Sequence, residues 1–181
     1  MAITQGRANT CTTSLCSGGA GTLYLANANE VSSITVNASG AATAITMTST
    51  AANFYEYEFR DFSAAFTETG TVDPVTKAKS VEQTFTGIWT CRKQADRNII
   101  EEMASSSCGL VAVHVENTGR YWIWGNVSVG GKKLSATLTG FEGQSGTTIT
   151  DPNQETLTLT CSTTVKAIEV IDGATVMAAL I

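Results

Sequence analysis

A single histidine, two prolines and little charge set the first limits on this 181-residue sequence. Charged residues make up 15% of the chain, against about a quarter in an average globular domain. With only His114, most imidazole-based metal and acid–base chemistry is excluded. No Walker loop, G-x-G-x-x-G, H-E-x-x-H or G-x-S-x-G motif occurs. Cys11 and Cys16 are five apart, but no second Cys or His pair follows at zinc-finger spacing. The expectation is a protein that is not an enzyme and takes no cofactor or metal.

Positive charge is equally scarce. Sixteen acids oppose eleven bases, for a net charge of −5. No Lys or Arg lies between Arg7 and Arg60, and the only basic pairs are Arg92-Lys93 and Lys132-Lys133. Tight binding to a phosphate backbone needs a basic patch that this chain lacks. Long apolar runs are missing too. The longest, Ala174 to Ile181, is far too short to span a bilayer. Met1 to Arg7 has no apolar stretch, so no secretory signal is expected. The odd count of five cysteines then fits reduced thiols in a cytosol.

What is abundant is threonine, at 29 residues, within a chain that is 43% hydrophobic. Thr and Val favour the pleated backbone, so a mainly β protein is expected, and disorder is not. The length suits one domain over 1–181: an extended arm over 1–20, a β core over 21–172 and an apolar C-terminal tail over 173–181. Phe54 to Phe62 alternates, with Tyr55, Tyr57 and Phe59 on one face and Glu56, Glu58 and Arg60 on the other. Val81 to Cys91 reads as its partner strand across a loop over 69–79, giving a protruding hairpin. Ala95, Ile99 and Met103, with Ile100 beside them, make the one convincing helix, near 94–105; Asp96 falls away from that stripe. Leu110–Val115 and Tyr121–Trp124 flank a Gly-containing turn and form the clearest hairpin. Glu155 to Cys161 alternates Thr with Leu and Cys. About ten short strands and one flanking helix suggest a β-sandwich or partly closed barrel.

Several constellations have a plain structural reading. His114 shares its strand face with Leu110 and Ala112, which suits a core or interface histidine. Glu56 and Glu58 could pair as glycosidase carboxylates, but Arg60 on the same face reads as charge balance. Tyr121, Trp122 and Trp124 could stack on sugars in a carbohydrate-binding surface module, and equally serve as core on one face and interface on the other. Asp151-Pro152-Asn153 lacks the repeated acids of a calcium loop and reads as a turn. Unpaired strand edges are usually blunted by Lys or Pro, and both are rare here. A protein built to join its edges with copies of itself would keep them open. This points to a self-assembling structural subunit.

The order of elements from Phe54 to Cys161 resembles the tail tube (major tail) proteins of long-tailed bacteriophages, in particular virion proteins from phages of Bacteroidetes hosts. The resemblance rests on the helix Asn98–Ala104, the hairpin Leu110–Gly125 and the late segment Gly146–Thr160. It implies hexameric rings whose inner strands join into one barrel, rings that stack, and an acidic lumen through which DNA passes without specific binding. It also implies other phage tail proteins as partners, assembly in the bacterial host cytoplasm, and residence in the virion. Glu56, Glu58, Glu82, Glu142 and Glu155 become candidate lumen acids; Tyr55, Tyr57, Phe59, Tyr121, Trp122 and Trp124 become candidate subunit-interface residues. A tail terminator, a baseplate hub part or a capsid decoration protein are the alternatives within the same class.

Overall fold

The computed structural model describes residues 19–60, 62–129, 132–148 and 150–181. Most of the expected arm, with Cys11 and Cys16, lies outside the described residues, as does the Gly130-Gly131 turn. Thirteen strands and two helices are present among those described.

One sheet has seven strands: β1 (Ala20–Asn27), β2 (Val31–Val36), β3 (Ala42–Met47), β4 (Tyr55–Glu58), β7 (Leu110–Glu116), β8 (Tyr121–Trp124) and β13 (Ile168–Val170). Their spatial order is β2-β3-β13-β8-β7-β1-β4. The other sheet has four: β5 (Ala64–Val72), β6 (Lys79–Thr90), β11 (Thr137–Gln144) and β12 (Gln154–Thr163), ordered β11-β12-β6-β5. β9 (Val127–Val129) and β10 (Lys132–Leu134) form a separate small ribbon. Neither large sheet closes on itself, so the architecture is a sandwich with helix α1 (Gln94–Ala104) packed on it.

Alternation explains the layers. Leu23, Leu25, Tyr57, Phe59, Phe85, Trp89, Leu157 and Leu159 meet in one cluster between the sheets, capped by Ile99, Ile100 and Met103 of α1. Each such side chain contributes about 2 kcal/mol when fully buried. The seven-stranded sheet is also covered on its other face, where Tyr24, Ala26, Val111, Val113 and Ile123 form a second cluster with Met177. Its central strands β1 and β7 therefore read as nearly continuous apolar runs.

Four sequence expectations need correction. Phe54–Phe62 does not pair with Val81–Cys91. β4 pairs with β1, and the chain turns at Phe62, whose φ is +59°, so that β5 becomes the partner of β6. The C-terminal segment is not a loose tail: it forms α2 (Gly173–Ala178), which buries Met177, and the Phe54 N–H donates to the Leu180 carbonyl. On α1 the buried stripe is Asp96, Ile99, Ile100 and Met103, with Ala95 exposed. The described strands number thirteen rather than about ten, because β5 occupies a stretch read partly as loop and the three-residue β9 and β10 carry no legible period.

Candidate assembly face

The four-stranded sheet turns one face to the core and the other outward. Its register aligns threonines across all four strands. Thr137 on β11 opposes Thr160 on β12, Thr160 opposes Thr84 on β6, and Thr84 opposes Thr67 on β5. The next outward row holds Gly140, Thr158, Thr86 and Ala65, and Thr156, Thr90, Thr69 and Thr71 extend the pattern. No Lys or Arg falls on this face within these strands. The signal was the T-x-T-x-T spacing of residues 156–160, which fixes one polar face per strand.

Two of the five lumen-acid candidates lie on this face. Glu82 is exposed and accepts a 2.6 Å hydrogen bond from the Ser162 hydroxyl. Glu142 is exposed and opposes Thr156. Glu155 belongs elsewhere. It faces the core in phase with Leu157 and Leu159, is 3% exposed, and bonds the Arg92 guanidinium at 2.7 Å. A carboxylate so placed cannot line a wall; its period-two phase with Leu157 already placed it on the apolar face. Gly143 makes room for this ion pair: a Cβ there would stand 2.4 Å from Glu155 Oε2. Glu56 and Glu58 are half-buried on β4, in the other sheet. The Tyr24 hydroxyl donates to Glu56 at 2.9 Å, and burial first, then this bond, push the Tyr24 phenol well up.

The interface candidates divide the same way. Tyr57, Phe59 and Trp124 are buried in the chain's own core, so they are not open to a partner. Phe59 stacks on Trp89, and its ring fills the space above Gly87. Tyr55, Tyr121 and Trp122 are half-buried. Tyr121 stacks on Tyr24 at 6.4 Å, with Gly173 against its ring. A sugar platform on Tyr121 and Trp124 loses its surface, because Trp124 lies inside. His114 is 1% exposed and stacks on Phe66 at 4.1 Å, with neither ring nitrogen hydrogen-bonded. Burial holds its imidazole down at about 3.

Among the described residues the sheet has two free edges, β11 and β5. All three internal pairings are antiparallel, so β11 and β5 run in opposite directions. At one end the β5–β6 turn is held by Asp73, whose carboxylate accepts from the Val75 and Thr76 backbone N–H groups, which lowers its pKa. Val75 stands 87% exposed there. Between β11 and β12 the Asp151 carboxylate ties down Thr147 and Thr148 at 2.7–2.8 Å and is held well below the usual range. Sequence reading missed both acids as loop locks: Asp73-Pro74 carries the usual signal, with the acid holding the residues after it, whereas Asp151 holds residues three and four positions before it.

Among the described residues, no group of three His, Cys, Asp or Glu side chains could hold a metal ion, and no helix is long and apolar enough to cross a membrane. Cys91, Cys108 and Cys161 are free thiols. No family model, no curated protein and no solved structure matches the chain.

Proposed function

We propose that this chain is a structural virion subunit that self-assembles into stacked rings forming a phage tail tube, a conduit for DNA ejection. One observation carries the reading: a four-stranded sheet with a threonine-rich, base-free outer face and two open edges of opposite direction. An even number of antiparallel strands solves a parity problem. Copies related by rotation about one axis all point the same way. The β5 edge of one copy therefore meets the β11 edge of the next antiparallel, and the alternation continues around the ring. Closure removes both edges, which otherwise invite uncontrolled pairing.

The outer face then lines the channel. Glu82 and Glu142 repel the phosphates of passing DNA, and the threonines offer uncharged hydroxyls that do not grip it. The rings are hexameric and join other tail proteins if the resemblance extends that far. The locked turns at Asp73 and Asp151 suit fixed contacts between successive rings. The test is sedimentation over a concentration series with negative-stain electron microscopy of the assembled fraction. Hollow filaments or stacked rings with a central channel support the tube. Closed rings that never stack favour a terminator or hub part. Monomers at every concentration overturn the reading and make glycan binding the next assay.

A further inference from the structure

The two open edges of the four-stranded sheet differ on their core side. On β11, Phe141 opposes the core residue Leu157, yet it is 59% exposed, with no described strand beyond it. Beside it lies a groove lined by Ile100 and Gly143, by Arg97 and Glu101 of α1, and by the Arg92–Glu155 ion pair. On the β5 side the reverse shape is present. A cavity of about 340 Å³ opens there, lined by Phe66 and His114 with Ala20, Ala65 and Glu116. One edge carries a protruding aromatic ring flanked by a guanidinium. The other carries a mainly apolar recess flanked by a carboxylate.

The register brings them to the same level. Phe141 opposes Leu157, Leu157 opposes Gly87, and Gly87 opposes Ala64, so the row that begins at Phe141 ends on β5 at Ala64. Ala64 and Phe66 are neighbours on the core side of β5. A copy placed beside β11 without stagger therefore presents its Ala64 directly to Phe141, with its Phe66 one core-side position along, opposite Leu138. Strand alternation keeps all four on the core side of the joined sheet.

Building on the ring-forming reading above, we propose that Phe141 of one copy inserts into the Phe66–His114 recess of the next, with Arg97 of the first copy facing Glu116 of the second. The phenyl ring extends the existing Phe66–His114 stack, so the core of one copy continues into its neighbour. The partner is a second copy of this chain. Size and polarity match at opposite edges, as a head-to-tail interface requires and as a self-complementary one does not, and Arg97 supplies a cation for Glu116. The ion pair sits at the rim and sets register more than affinity.

The test compares wild type with Phe141→Asp, Arg97→Glu, Glu116→Arg and the double swap R97E/E116R, by sedimentation velocity over a concentration series. Monomer folding is monitored by circular dichroism. F141D is expected to keep the monomer's melting midpoint within about 3 °C, since Phe141 is largely exposed. It should raise the concentration for half-assembly at least about tenfold. Each single charge reversal should raise that concentration about threefold or more, and the double swap should bring it back close to wild type. Wild type and F141D assembling at the same concentration would overturn this contact while leaving the ring reading intact. A double swap as weak as its two singles combined would remove the Arg97–Glu116 pairing. Wild type that stays monomeric throughout overturns both the contact and the ring.

Discussion

At the scale of single residues, two buried ionisable groups dominate. His114 has no hydrogen-bond partner for either nitrogen, so charging it inside the sandwich is costly. In an unfolded chain its imidazole titrates near ~6.5, and here burial holds it at about 3. Between those values the unfolded chain binds the extra proton. The stability this group confers is complete above its unfolded pKa and declines as pH falls toward its folded one. The slope is at most about 1.4 kcal/mol per pH unit. Urea unfolding of wild type and His114→Leu at several pH values reads this directly. The wild type should lose ground to the variant steadily below about pH 6. A difference that stays constant across that range would contradict the assignment. Arg92 and Glu155 supply the second case. Arg92→Ala leaves a carboxylate at 3% exposure without its guanidinium and should cost about 3 kcal/mol in denaturant unfolding. A loss below about 0.5 kcal/mol would place the pair with ordinary surface bridges.

At the scale of elements, the long alternating strands and the amphipathic helix were legible in the sequence. β6, β12, the β7–β8 hairpin and α1 appear where Val81–Cys91, Glu155–Cys161, Leu110–Trp124 and residues 94–105 placed them. Their periods are long enough to select a face. The pairing of β5 was not legible. Its inward face carries Glu68, and the corner that redirects the chain at Phe62 depends on a left-handed residue with no glycine to announce it. α2 was hidden because six residues cannot display a helical period. The placement of Glu155 was misread because its charge outweighed its phase with Leu157. The threonine face was visible strand by strand, but its rows exist only once the register is known.

One element-scale prediction follows from the crossing of β6 beneath the β4 corner. A Cβ on Gly87 would lie 2.3 Å from the Phe59 ring, which is itself stacked on Trp89. Gly87→Ala should destabilise by about 2 kcal/mol, because the ring has to leave its packed position. The double variant Gly87→Ala/Phe59→Leu should cost less than the sum of its singles in thermal unfolding, since the smaller side chain relieves the contact. Strict additivity would mean that Gly87 serves the strand for another reason.

At the scale of the whole molecule, the two sheets divide the work. The seven-stranded sheet carries apolar clusters on both faces of its inner strands and holds most of the chain's core. The four-stranded sheet rests on that support and offers one polar face and, among the described residues, two open edges. With net charge −5 and no basic side chain on that face, the protein, alone or in the proposed ring, should not bind duplex DNA at physiological salt. Fluorescence anisotropy of a labelled duplex checks this. Saturable micromolar binding would be incompatible with a channel that releases its cargo.

The central claim is that copies join through β5 and β11. Amide hydrogen exchange, compared between monomeric and assembled protein, reads it strand by strand. The account predicts new protection along Ala64–Val72 and Thr137–Gln144, with the edge strands β2 and β4 of the larger sheet unchanged. Protection that appears on β2 or β4 while β5 and β11 exchange as before would contradict it.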